Sequence, residues 1–129
     1  MYNRNCMKIY IICPVRNVTE EQVQEIANYI ASLELDGHQV HYPPRDVEQN
    51  DPTGWGIVTT HAMAMRNADR VDVFWDNTSK GFHADLGMAI IEKKWVKLVK
   101  SYQEDWDGKS YVKVMKIMET EYAKEIENV

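Results

Sequence analysis

Asp85 lies in the segment Ser79-Lys80-Gly81-Phe82-His83-Ala84-Asp85-Leu86-Gly87-Met88-Ala89, with apolar residues closing around it. The pattern predicts a helix from about Phe82 to Lys93, opening just after Ser79-Lys80-Gly81. Free amide groups at a helix start attract anions, and glycine lets a ligand approach the backbone closely. A carboxylate about one turn further in is pulled two ways. The helix macrodipole favours its ionised form, and burial opposes it. Ser79 and Lys80 are types that hold an anionic group. The ordinary alternative is an Asp that satisfies backbone donors in an acidic first turn, which helices use routinely.

Other groups with chemical capacity fall at predicted strand ends. Cys13, Pro14, Val15, Arg16 and Asn17 follow the first strand, Arg45 and Asp46 the second, Asp76 to Gly81 the third, and Lys100 and Ser101 the fourth. Cys13 has no base supplied by the sequence, so it reads as a buried inert thiol rather than a nucleophile. His38 and His41 are three apart on a strand and face opposite ways, which suits solvent-facing positions and not a metal site. His61, on the apolar side of a helix, reads as a hydrogen-bonded core residue. His83, two residues from Asp85, is the histidine with a claim on the site. No metal and no cofactor are expected: Gly54-Trp55-Gly56 lacks the third glycine of a dinucleotide fingerprint, and there is no Walker A loop. A phosphoreceiver reading fits the Asp at the end of the third strand. It needs an acidic pair where Cys13-Pro14-Val15-Arg16 stands, and is discounted.

The elements that must position these groups follow from period and punctuation. Met7–Cys13 is a continuous apolar run stopped by Pro14, as expected of a strand buried on both faces. Thr19 and Gln22 form a capping box, and Val23, Ile26, Ala27, Ile30 and Leu33 share one face, predicting a helix over Glu20–Leu35 closed by Gly37. Gln39–Tyr42 is a short second strand, and Pro43–Gly54 a polar loop of a length often functional. Asp51-Pro52 is expected to open a second helix ending near Asn67. Arg70–Asp76 is the third strand; the following helix, apolar nearly all round, is expected to be substantially buried. Trp95–Val99 is the fourth strand, Ser101–Gly108 a polar stretch offering a short fifth edge strand, and Lys109–Ile126 the last helix. Strand–helix alternation of this kind implies a parallel sheet with helices on both faces, and ligands in such sheets bind beyond the carboxyl ends of the strands.

Composition bounds the function. The 129 residues, 44% hydrophobic and 27% charged, suit one ordinary domain over 1–129 that needs no disulfide to fold. A net charge of −5 argues against a nucleic-acid polymer or an anionic membrane as the main partner, though not against one small phosphate. No apolar run approaches the roughly 20 residues of a membrane span, and Met1–Met7 has no apolar core, so no secretory signal is expected. Two cysteines without C-x-x-C spacing read as free thiols, and a cytoplasmic location is expected.

Three segments carry a resemblance to the nucleoside 2-deoxyribosyltransferase superfamily, which includes hydrolases of nucleoside 5′-monophosphates. Lys8–Pro14 is similar to its opening strand, Ala68–Asp76 to its third strand, and Ser79–Ala89 to its S-x-G-x-x-x-E-L-G-x-A signature with the spacing kept. The last is the specific one. The resemblance implies a flavodoxin-like three-layer sandwich with a four- to five-stranded parallel sheet, and a homodimer or higher oligomer. It places Asp85 at the nucleophile position, where the family carries Glu. It makes Tyr10 the residue that orients the nucleophile, with Ser79 and Arg16 as phosphate binders. Cys13-Pro14 stands where many members have Gly-Pro or Gly-Ser.

The chemistry that follows is cleavage or transfer at the N-glycosidic bond of a (deoxy)nucleoside or nucleoside 5′-monophosphate. Asp85 meets the charge that develops at C1′, and a second carboxyl group, Asp46 or Asp76, protonates the leaving base. Arg16, Ser79, Lys80, Gly81, Cys13 and Pro14 form the expected substrate pocket. Asp for Glu shortens the reach by roughly 1.5 Å, enough to cost about a hundredfold in rate if nothing compensates. That departure motivates the alternative, a nucleotide- or nucleoside-binding sensor without turnover. A structural α/β subunit whose polar edge meets a partner is a third reading.

Overall fold

The computed structural model describes residues 6–124. Four strands, β1 (Lys8–Ile12), β2 (Gln39–His41), β3 (Arg70–Trp75) and β4 (Trp95–Ser101), pair in parallel in the order β2-β1-β3-β4. Five helices connect and follow them: α1 (Glu20–Leu35), α2 (Pro43–Asp46), α3 (Trp55–Asn67), α4 (Lys80–Ile91) and α5 (Tyr111–Glu121). The chain steps from β1 to one neighbour and then crosses to the other, so the strand order reverses beside β1.

Alternation along β1 sorts the core. Ile9, Ile11 and Cys13 pack with Ile26, Ile30 and Leu33 of α1, while Tyr10 and Ile12 pack on the opposite face with residues of α3, α4 and α5. β3 is buried along its whole length, including Asp72. The Arg70 guanidinium grips that carboxylate through Nε at 2.6 Å and Nη2 at 2.8 Å, and the Tyr29 hydroxyl of α1 donates to it at 2.5 Å. A buried ion pair of this kind is tolerated because its hydrogen bonds are satisfied.

α1 has the predicted bounds, with both halves of the Thr19–Gln22 capping box formed. Val23, expected on its apolar face, is exposed. α3 departs from expectation. It opens at Trp55, not at Asp51-Pro52, because Gly54 takes a left-handed conformation with φ +81°. Asp51 still caps it from outside, its Oδ2 accepting from the amides of Gly56 at 2.7 Å and Ile57 at 3.2 Å. Within the polar loop, Pro43–Asp46 forms the short α2, where proline suits a first turn.

α4 starts two residues earlier than predicted, because Ser79 acts as its N-cap. It buries Phe82, Leu86 and Ala89, but Ile90 and Ile91 are exposed, so it is less enclosed than its composition implied. β4 runs on to Ser101, and Ser101–Gly108 supplies no fifth strand among the described residues. Side chains occupy that backbone instead: Lys113 Nζ donates to the carbonyl oxygens of Trp106 and Gly108, and Gly108 has φ +92°. α5 ends at Glu121, and the predicted end at Ile126 lies outside the described residues.

Candidate active site

The register pairs Tyr10 of β1 with His41 of β2, which turns both rings to the same sheet face, 5.1 Å apart. α3 carries His61 over them, its ring 6.1 Å from Tyr10 and 6.0 Å from His41. α4, packed beside α3, brings Asp85, whose Oδ1 lies 3.6 Å from His61 Nδ1. Four elements thus converge on three rings and one carboxylate. The side chains of His61 and Asp85 are 17% and 15% exposed.

This cluster holds an anomaly. Among the described residues, three buried side-chain polar atoms lack a hydrogen-bond partner: the Tyr10 hydroxyl, His41 Nε2 and His61 Nε2. Each such orphan costs roughly 1–3 kcal/mol, and native proteins contain few. All three fall at one place, and the Tyr10 hydroxyl is also within reach of the Asp85 carboxylate. A cleft of about 370 Å³ opens over β1 and β2 beside α3; of the cluster, Tyr10 and His41 line it, with Asp46, Ala64 and Asn67, while His61 and Asp85 lie behind that lining.

Electrostatics in the cluster disfavour extra charge. Burial raises the Tyr10 phenol well above its usual range, and the nearby Asp85 charge adds to this, so the phenol stays protonated. Burial, then Asp85, pushes the Cys13 thiol up to about 12, which fits the inert thiol expected. His41 is lowered by burial and then by His61, and so favours its neutral form.

The two candidates for the second carboxyl group sit differently. Asp46 lines the cleft, but its Oδ1 accepts from Arg45 Nε at 2.7 Å and its Oδ2 from Arg45 Nη2 at 2.9 Å and the Tyr42 amide at 2.8 Å. Hydrogen bonding from Arg45 holds it below the usual carboxylate range, so it is ionised and poorly suited to give up a proton. Asp76 Oδ1 accepts from the Thr78 amide, the Thr78 hydroxyl and Gln103 Nε2, at 3.0, 2.8 and 3.0 Å. It organises the turn after β3.

The expected phosphate-binding residues stand at the carboxyl ends of β1 and β3. Arg16 is exposed in the bend before Asn17, which has φ +56°. Ser79 Oγ accepts weakly from the Phe82 amide at 3.4 Å, and Lys80 and Gly81 are exposed at the start of α4. A Cβ on Gly81 would meet Ser79 Oγ at 3.8 Å, an ordinary contact, so internal packing does not require glycine there. Pro14 is buried at the end of β1.

His83 stands apart from the cluster. Its Nδ1–H donates to the Ser79 carbonyl at 2.7 Å, and its ring packs against Trp75 and Tyr111. It lines a separate cavity of about 470 Å³ beyond β3 and β4, with Trp75, Trp106 and Tyr111; that cavity contains none of the clustered groups. The two histidines that do join the cluster were assigned elsewhere by sequence. His41, expected to face solvent, is half-buried against Tyr10, and His61, expected to be satisfied in the core, has an orphaned nitrogen. One signal was available for His61. It falls on the inner stripe of α3 with Ile57, Ala64 and Met65, where a titratable ring is out of place.

No protein-family model matches the chain, and no curated protein matches it. Solved structures do. A CMP N-glycosidase, BcmB, from Clostridium botulinum superposes with a TM-score of 0.58 at 18% identity, covering 88% of this chain and 80% of that one. A 2-deoxyribosyltransferase from Bacillus psychrosaccharolyticus gives 0.59 at 21% identity, covering 84% and 90%. A conserved protein from Enterococcus faecalis V583 gives 0.56 at 15%, covering 70% and 61%. At these identities the likeness is one of fold. The flavodoxin-like parallel α/β fold implied by the sequence resemblance is the fold of this chain.

Proposed function

We propose that this protein is an enzyme that cleaves or transfers at the N-glycosidic bond of a nucleoside or nucleoside 5′-monophosphate. The observation that carries the reading is the cluster itself. Tyr10, His41 and His61 gather beside a largely buried carboxylate, Asp85, next to the strand-order reversal of this fold. Asp85 supplies the negative charge that bond cleavage requires near C1′, in a poorly solvated setting where that charge acts strongly. Tyr10, kept as a neutral phenol, supplies a hydroxyl to orient the carboxylate or the sugar. Proton delivery to the leaving base falls to Asp46 or Asp76. The bonding to Arg45 counts against Asp46 in the unliganded protein.

The fold likeness to a CMP N-glycosidase and a 2-deoxyribosyltransferase supports the reaction class. Arg16, Ser79, Lys80 and Gly81 are the residues for a 5′-phosphate, Arg16 through its guanidinium fork. Cys13 and Pro14 wall the sugar side as neutral groups. A homodimer or higher oligomer is part of the reading, and Trp55, Val58 and Met63, exposed on α3, offer apolar surface for it.

The test is chromatography of products from a panel of ribo- and deoxyribonucleosides and their 5′-monophosphates, with and without a free acceptor base. Base release or exchange is expected, and Asp85→Asn should lower it by about a hundredfold or more. Absence of any product at high enzyme concentration, with nucleotide still raising Tm, would favour the non-catalytic binding reading.

A further inference from the structure

Asp85 does not stand alone in the cluster: an imidazole lies against it. His61 Nδ1 is 3.6 Å from Asp85 Oδ1, and the opposite ring nitrogen, Nε2, is buried without a partner. A carboxylate beside Nδ1 keeps the imidazole proton on that nitrogen and leaves Nε2 as the acceptor. The separation is longer than a hydrogen bond, as is common for catalytic contacts before substrate binds. The titratable groups facing His61 are Tyr10 from β1, His41 from β2 and Asp85 from α4. Tyr10 is kept as a phenol and His41 favours its neutral form, and Asp85 is the carboxyl group beside the ring.

We propose that Asp85 works through His61, as a carboxylate–imidazole pair whose Nε2 is the general base for a water molecule. This rests on the N-glycosidic reading above, and it makes the reaction hydrolysis. Nε2 takes a proton from water as the water oxygen bonds to C1′. The C1′–N bond breaks, and its electron pair leaves with the base nitrogen, which takes up a proton from the second carboxyl group, Asp46 or Asp76, itself reprotonated from solvent. The imidazolium returns its proton to solvent, and the sum is addition of water across the bond. The pairing also gives the Asp a second task, to hold the imidazole in place.

Two measurements test the pair. The first needs no turnover: long-range proton–nitrogen NMR of the imidazoles, assigned with His61→Asn. The neutral Nδ1–H tautomer of His61 is expected in the wild type and its loss in Asp85→Asn. An Nε2–H tautomer in the wild type overturns the pair, whatever the protein turns over. The second uses the nucleoside and nucleotide panel. His61→Asn and His61→Gln should lower kcat by about a hundredfold or more with little change in KM. In His61→Ala, added imidazole should restore part of the rate. Circular dichroism establishes that the variants fold. Wild-type kcat in folded His61 variants overturns the proposal in favour of direct attack by Asp85. No base release by the wild type sinks the glycosidic reading and the hydrolytic step with it, while the tautomer still decides whether the pair exists.

Discussion

Cys13 shows how one side chain's surroundings set its chemistry. It sits at the end of β1, 5% exposed, with Asp85 near enough to disfavour a second negative charge. A thiol pushed up to about 12 is almost wholly protonated at physiological pH, and the thiolate is the reactive form. Cys6, by contrast, is exposed. Iodoacetamide at about pH 8 should therefore label Cys6 in the native protein and reach Cys13 only after denaturation. Peptide mass spectrometry reads this directly, and native labelling of Cys13 would mean that the cluster is more open than the structure has it. The same surroundings act on Tyr10, whose phenol is available as a neutral donor and not as an anion. Asp85 and Tyr10 could be singled out as candidates from their types and motif positions, and the structure brings them into one cluster. His41 and His61 were not, because neither strand alternation nor helical period says which neighbour a ring will meet.

α3 is the element on which the candidate site depends most, since it carries His61 and borders the cleft. Its start is set by Gly54 and by the Asp51 carboxylate, and not by the proline that the sequence pattern suggested. Gly54 has φ +81°, and a Cβ there would touch nothing within 4 Å. Gly54→Ala therefore tests backbone strain alone. It should destabilise the protein by about 1 kcal/mol, read from urea unfolding midpoints. A substitution without cost would show that the turn relaxes into another conformation. α4 makes a related point. Its composition suggested burial all round, but it packs on one side only, leaving Ile90 and Ile91 outside and turning Asp85 toward α3.

A buried long-range polar contact joins sheet and helix, alongside apolar packing and the more exposed bonds of Lys100 and Tyr102 to Glu25. Tyr29 of α1 and Arg70 of β3 meet on the wholly buried Asp72. Asp72→Ala leaves the Arg70 guanidinium buried without its partner and should cost about 3–5 kcal/mol, a large share of a domain's usual stability. Replacing both, as Arg70→Met with Asp72→Leu, should recover most of that loss. Denaturant unfolding of the two single variants and the double variant measures the coupling, and simple additivity would mean the pair contributes little.

The order of strands and helices, the bounds of α1, the buried character of β1 and β3 and the place of Asp85 near the start of α4 were all set by local sequence. Each depends on period, capping or propensity within a dozen residues. The sheet order, the pairing of Tyr10 with His41 and the approach of His61 to Asp85 were decided by tertiary structure. The physical reason is that parallel strand register and helix-on-helix packing join residues 24 to 75 positions apart along the numbered chain, His61 to Asp85 and Tyr10 to Asp85 respectively. No local pattern encodes such meetings; they exist only once the sheet has placed its connecting helices over one face.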